Sequence, residues 1–303
     1  MRNMQTEKIA IVTDNACDAS DAELVEIGVK CVHLRVIEPD GTHFPEDNTP
    51  ENIEAFYDYI VACDELPGTS MPPLLEFAQM YTDLALEGYT HIISLHISSS
   101  MSGTVHTAQM AAESAPVPVE VIDTHCNTVA QFLFVRRIAQ LREYGLGFDE
   151  LVEAAHDLEG KTSICFMLDK LRNLVKGGRT GKATGLAAAL LKIKPLLTVD
   201  PEGEVEMFGK AKSPRRAVTK LVDRYKELES RFGPLECCFA HTRNMAGVDE
   251  LREAMIEAGV NLLEVGVRMV GPVITTHVST GCFGFAYIPR NVIARGFRLL
   301  TRP

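Results

Sequence analysis

The sequence predicts an α/β protein of two domains, built mainly on parallel sheet. Three observations carry that expectation. Short apolar runs at residues 9–12, 91–95 and 117–122 alternate with segments of helical spacing, the pattern of a parallel sheet with covered faces. The first run, Ile9-Ala10-Ile11-Val12, is apolar at every position, as a strand buried on both faces should be. A chain of 303 residues also exceeds what one typical core encloses.

The elements follow in order. Thr13-Asp14-Asn15 closes the first strand, and a short helix is expected over residues 21–27. A second strand over 29–36 leads into the turn-rich Glu38-Pro39-Asp40-Gly41-Thr42. Helical spacing returns at Ile53, Phe56, Tyr57 and Ile60. The run Pro67-Gly68-Thr69-Ser70-Met71-Pro72-Pro73 reads as a loop that opens a helix, with Thr69 or Ser70 as cap and the prolines in the first turn. Leu74, Phe77, Ala78 and Tyr81 form that helix's buried face. After the strand at 91–95 come helices at 105–113 and 128–144 with a strand at 117–122 between them, then a helix at 149–158. Gly160 precedes another apolar run at 163–168, and a domain boundary near residue 160 divides the chain into 1–160 and 161–303.

The second part looks different. A basic, glycine-rich loop spans residues 176–182, and Asp200-Pro201-Glu202-Gly203 has hairpin chemistry between strands at 196–199 and 204–207. An amphipathic helix at 214–231 opens with Arg215 and Arg216. A strand at 235–240, a helix at 248–258, and Val273-Ile274-Thr275-Thr276-His277 leading into Gly281-Cys282-Phe283-Gly284 follow. The chain closes on an arginine-rich tail with a solvated terminus as its simplest reading and an anionic membrane surface as the sharper one.

Composition removes several function classes. A net charge of −11 argues against sequence-independent nucleic-acid binding. No signal peptide is visible at the N-terminus, and the apolar run at 186–197 is broken by Lys192 and Lys194, so a cytoplasmic protein without a membrane span is expected. Eight cysteines form no C-x-x-C pair and read as free thiols, and no Cys/His set has zinc spacing. The loop at Lys176 lacks both the first glycine and the Ser/Thr of a P-loop, because Lys176 and Ala183 stand there. No G-x-G-x-x-G follows a strand. Gly68-Thr69-Ser70-Met71-Pro72 ends in proline and follows a polar loop, which disfavours a nucleophile elbow. No cofactor is expected.

What remains is a set of neutral donors where strands or loops give way to turns or helices. Leu95-His96-Ile97-Ser98-Ser99-Ser100-Met101-Ser102-Gly103-Thr104 puts four serines and a threonine in seven residues ahead of a helix, more than an N-cap needs. Thr69, Ser70 and His277 occupy comparable positions. With Arg179 they suggest a site for one carboxylate held by hydroxyls and an imidazole.

These pieces, taken in order, resemble the DegV family. The match comprises Ile11-Val12-Thr13-Asp14 with Asp18, Thr69-Ser70-Met71-Pro72, Ile97 to Thr104, and Asp123. It continues through Leu171-Arg172-Asn173-Leu174-Val175-Lys176-Gly177-Gly178-Arg179, Ile193-Lys194-Pro195-Leu196, Arg216-Ala217, and His277 with Gly281 and Gly284. The resemblance implies a three-layer α/β/α domain with a parallel sheet and a two-layer α/β domain with a mixed six-stranded sheet. A long-chain fatty acid is expected between them. Thr69, Ser98 or Ser99, and His277 would contact its carboxylate, with Ser70 adjacent and Arg179 near. By the same resemblance the protein is no enzyme but a partner of a separate ATP-dependent fatty acid kinase, which makes acyl phosphate for phospholipid synthesis. Arg215 or Arg216 would face that kinase. The alternatives are a serine-dependent acyl hydrolase or acyltransferase using His277, and a carrier of another small carboxylic acid. The chain departs from the pattern at Asn15, Met71 and Val278-Ser279-Thr280, changes that bear on pocket shape more than on the carboxylate contacts.

Overall fold

The computed structural model describes residues 7–186, 193–291, 293–294 and 297–298. The first half carries β1 (Ile9–Asp14), α1 (Asp21–Glu26), β2 (Val29–Val32), β3 (Arg35–Ile37), α2 (Pro50–Ala62), β4 (Gly68–Ser70) and α3 (Leu74–Leu86). It continues with β5 (His91–His96), α4 (Thr104–Ala112), β6 (Val119–Asp123), α5 (Thr128–Glu143) and α6 (Phe148–Leu158). Four of these strands form a parallel sheet in the order β2-β1-β5-β6. Every residue of β1 is buried, in keeping with its unbroken apolar run and with helices on both faces.

The second half carries β7 (Ser163–Met167), α7 (Arg172–Lys176), β8 (Lys194–Val199), β9 (Val205–Ala211), α8 (Pro214–Phe232) and β10 (Leu235–His241). After these come α9 (Met245–Glu257), β11 (Leu263–Met269), α10 (Pro272–Val278) and β12 (Phe283–Pro289). Six of its strands make a mixed sheet ordered β11-β10-β12-β7-β8-β9, parallel only between β10 and β11. Alternation along the strands divides the side chains between two cores. Cys165, Cys237 and Phe285 pack beneath α8 and α9, whereas Ile164, Cys238 and Ala286 join a core continuous with the first half. The neighbours Cys237 and Cys238 thus face opposite ways, and all eight cysteines are free.

Between the sheets runs α5, which explains its weak amphipathicity: Phe134, Val135, Leu133 and Ile138 are buried on several sides, and so are Gln131 and Arg137. Arg137 meets the Glu236 carboxylate at 2.9 Å and the carbonyls of Pro289 and Arg290, so its buried charge is paired.

Several sequence-based expectations are corrected. The strand at 29–36 is two strands. Asn15 breaks it at Leu34, taking the Leu34 N–H on Oδ1 at 2.8 Å and donating from Nδ2 to the Leu34 carbonyl at 3.0 Å. Neither Thr69 nor Ser70 caps a helix. Both lie in β4, which pairs antiparallel with β3 (Val36 opposite Thr69), and α3 begins after Pro73 without a side-chain cap. Gly103 precedes α4, again without a side-chain cap, so the hydroxyl cluster serves another purpose. Residues 273–277 are helical despite four β-branched residues, because Pro272 occupies the first turn and supplies a preset φ. Strands β11 and β12 escape sequence reading because Gly266 and Gly284 interrupt their apolar rhythm. No helix among the described residues is long and apolar enough to cross a membrane. Most of the arginine-rich tail lies outside the described residues.

Candidate functional site

The antiparallel β3–β4 pair of the first half and α10 of the second meet side by side. Thr69 Oγ1 lies 3.0 Å from His277 Nε2. Both residues line a cavity, partly open to solvent, whose remaining wall is largely apolar: Leu34, Ile97, Phe166, Val205 and Ile274. Ser70, Ser102 and Arg179 add polar groups to it. A second apolar space shares Asn127, Phe166, Ile274 and Val278 with the first and extends towards Cys282. Few convergent polar groups on a concave apolar site are the general form of a small-molecule pocket.

His277 is neutral here. Burial pushes its pKa down to about 4, and the Arg179 guanidinium adds to the shift. Its Nδ1 has no hydrogen-bond partner and faces Gly177, where a Cβ would stand 2.3 Å from it. An unpaired ring acceptor is cheaper to bury than an unpaired N–H, so the proton sits on Nε2 and is donated to Thr69 Oγ1. The Thr69 hydroxyl then has its own proton to give to a ligand. Arg179 is fixed by donation from Nε to the Met101 carbonyl (3.2 Å) and from Nη1 to the Gly177 carbonyl (2.7 Å).

The hydroxyl cluster is placed differently from the expectation. Ser98 is fully buried, and its Oγ donates to the Gly203 carbonyl at 2.8 Å while accepting from Ser100 N at 3.2 Å. Ser100 Oγ donates to the Glu202 carbonyl, and His125 Nδ1 lies 2.7 Å from the Pro201 carbonyl. These groups grip the hairpin between β8 and β9, locking the two halves together. Gly203, at φ +83°, is required there, since a Cβ would stand 2.2 Å from Ser98 Oγ. Ser99 is exposed, and its N–H donates to Asp123 Oδ2 at 3.1 Å. Neither Ser98 nor Ser99 lines the cavity, because the hairpin has claimed the first and the second points to solvent.

The structure therefore brings together Thr69, Ser70, Arg179 and His277, and leaves Ser98 and Ser99 as framework. Sequence reading missed Ser102, Asn127 and Gly177 as parts of the site. Ser102 stood in the cluster, and Gly177 two residues before Arg179, so a signal existed for both. Asn127 had none. Arg215 and Arg216 are exposed on the first turn of α8, in the helical layer on the other face of the sheet from the cavity.

A serine–histidine–carboxylate chain does exist elsewhere. Ser94 Oγ, His96 Nε2, His96 Nδ1 and Asp14 Oδ2 connect at 2.7 and 2.9 Å, and Tyr81 continues the chain at 2.9 Å from Ser94. All four residues of that chain are completely buried, and Phe77 packs edge-on against His96. Asp14 also accepts from Ile97 N, Ala16 N and Gln131, so the chain pins the ends of β1 and β5 and has no access to a substrate.

The fold and site define a class: a two-sheet α/β protein with an apolar cavity between the sheets, closed at its polar end by a hydroxyl, an imidazole and a guanidinium. The chain belongs to the DegV family, whose model matches residues 8–290. A DegV domain-containing protein of Deinococcus radiodurans is 32% identical over 283 residues, covering 93% of this chain and 98% of that one. A protein of Thermotoga maritima described as a fatty acid-binding protein is 29% identical over 280 residues, 92% and 96% of the two chains. The solved structure of a DegV family protein from Thermus thermophilus, described for its fatty acid binding, superposes with a TM-score of 0.85 at 29% identity, covering 93% of this chain and 99% of that one.

Proposed function

We propose that this protein binds a long-chain fatty acid and presents it to a separate ATP-dependent fatty acid kinase, taking no catalytic part itself. The carboxylate is received at Thr69, His277 and Arg179, with Ser70 and Ser102 beside them, and the acyl chain lies along Phe166 and Ile274 into the second apolar space. The observation that carries this reading is the Thr69–His277 pair at the polar end of an apolar cavity. Relatives described as fatty acid-binding support it. Burying a sixteen-carbon chain at ~0.8 kcal/mol per CH₂ is worth on the order of 10 kcal/mol before the costs of binding, so the head group needs orientation more than strength. Neutral donors with one guanidinium leave the carboxylate oxygen nucleophilic enough to attack a phosphoryl group. In this reading residues 1–160 supply Thr69 and the hydroxyl loop, and residues 161–303 supply Arg179 and His277. The exposed Arg215 and Arg216 face the kinase, and the protein works in the cytoplasm.

Hydrolysis by His277 is disfavoured by its geometry. Nδ1 has no carboxylate behind it to orient the ring, and burial keeps the imidazole a weak base. The test is organic extraction of the purified protein followed by mass spectrometry, with ATP and a fatty acid kinase added to the loaded protein in parallel. A co-purifying fatty acid that becomes acyl phosphate is expected. An empty extract together with no uptake of added palmitate or oleate would end the reading, as would turnover of a p-nitrophenyl ester by the protein alone.

A further inference from the structure

Away from the acyl cavity, three side chains of different chemistry converge where α1 meets the end of β2. One oxygen of Asp21, Sγ of Cys31 and a ring nitrogen of His33 all lie within 4.8 Å of one another. We propose that Asp21, Cys31 and His33 form a binding site for one divalent transition-metal ion of the zinc class.

The ligand set has the right chemistry. Thiolate, imidazole and carboxylate are the three side-chain donors that zinc takes, at roughly 2.0–2.3 Å each, which puts ligand atoms of one tetrahedral shell about 3.3–3.8 Å apart. His33 Nε2 and Asp21 Oδ1 already stand 3.0 Å apart, joined by a shared proton that an ion would replace. No pair of the three exceeds that spacing by more than about 1 Å.

The scaffold is set in advance. Cys31 lies on β2 and His33 just beyond its end; Val32 between them is buried in the core on the other face, while Cys31 borders the core that also takes Leu34. Asn15 holds that segment by its two bonds to Leu34 and donates a third to the Glu46 carbonyl at 3.2 Å. Asp21 starts α1 behind the Ser20–Glu23 capping box, and its N–H meets the Asp47 carboxylate at 3.4 Å. Glu46 and Asp47 add negative potential around the imidazole, favouring a cation. The ion would enter past Asp21 and His33, whose side chains are 49% and 23% exposed, to reach the Cys31 thiol, which lies deeper and donates to the Val32 carbonyl at 3.4 Å. The site escaped sequence reading because Cys31-x-His33 alone has no zinc spacing, and only the fold adds Asp21.

The test uses the full chain, freed of metal by chelator, and titrated with Co²⁺ as a spectroscopic probe and Zn²⁺ as competitor. One equivalent of Co²⁺ should bind with a thiolate-to-cobalt charge-transfer band that Zn²⁺ abolishes. Cys31→Ser should lose the band, and His33→Gln should weaken binding at least tenfold, while Cys63→Ser leaves both unchanged. Zn²⁺ should raise the Tm of the native chain and not that of Cys31→Ser. Absence of a band, or stoichiometric binding that survives both Cys31→Ser and His33→Gln, would overturn the assignment. Should Cys31→Ser fold poorly, His33→Gln, which keeps the packing and a hydrogen bond to Asp21, decides by itself.

Discussion

Thr69 Oγ1 and His277 Nε2 stand 3.0 Å apart although 208 residues separate them in the chain. One is carried by the short antiparallel β3–β4 pair of the first half and the other by the last turn of α10, so the hydrogen bond exists only when the two halves are docked. Removing either group should weaken fatty acid binding. A hydrogen bond to a charged group is worth about 1.5–3 kcal/mol, so Thr69→Val and His277→Ala should each lower affinity roughly tenfold to a hundredfold. Displacement of a fluorescent fatty acid measures both, and the double variant should lose less than the sum, since the two act as one unit. Strict additivity would mean that the pair is not shared by one carboxylate.

Gly177→Ala tests how tightly the imidazole is held. The Gly177 backbone is right-handed helical (φ −74°), so alanine costs nothing in conformation there. Its methyl would stand 2.3 Å from His277 Nδ1 and 3.0 Å from Cε1, forcing the ring from its place. Affinity should fall at least tenfold with a Tm within a few degrees of the native value. An unchanged affinity would show that the ring position does not matter.

The buried imidazole makes stability depend on pH. Because its pKa is about 4 in the folded chain and near 6.5 when unfolded, the unfolded state binds the extra proton between those values. His277 therefore costs nothing above pH 6.5, lowers stability as the pH falls from 6.5 to 4, and has no further effect below that. The total is at most ~3 kcal/mol. Denaturant titrations of the native chain and His277→Asn, compared at pH 7 and pH 4.5, should show the native chain losing more.

Asp18 should give the opposite slope. Burial pushes its carboxyl up to about 7, against the Thr128 hydroxyl, the Gly271 N–H and the Arg268 charge, which favour the ionised form. The folded state holds the proton between pH 3.8 and 7, so this contribution is complete below pH 3.8 and is lost as the pH rises through 7. Relative to Asp18→Asn, the native chain should lose as much as ~4 kcal/mol between pH 4 and pH 8. A parallel pair of stability–pH curves would show that the carboxyl titrates normally.

Ser98→Ala separates framework from site. It removes the bond to the Gly203 carbonyl and leaves that acceptor buried, a loss of about 1–3 kcal/mol in stability. Fatty acid affinity should change less than threefold, since the hydroxyl does not reach the cavity. A large affinity loss at unchanged Tm would restore Ser98 as a ligand group.

Much of the fold was legible because its signals are local. The apolar run of β1, the glycine turns and the amphipathic face of α8 each specify an element without reference to the rest of the chain. Strands β11 and β12 were hidden because glycine weakens the local signal, and their pairing with β10 settles them instead. Thr69, Ser70, Arg179 and His277, singled out from ordered motifs, line the cavity, whereas Ser98 and Ser99 of the serine-rich loop do not. Its hydroxyls are abundant because a hairpin more than a hundred residues away needs donors for its carbonyls.

The sequence by itself determined the alternation of strands and helices, the absence of nucleotide motifs and the candidate polar residues, since each rests on neighbours within a few positions. Only the tertiary structure decided which hydroxyls face the cavity and which are spent on other backbone groups. A serine's single proton goes to one acceptor at a time, and the acceptor of Ser98 is chosen by how the halves dock. The same docking of distant segments joins Thr69 to His277, while the packing of α1 on β2 brings Asp21 to Cys31 and His33.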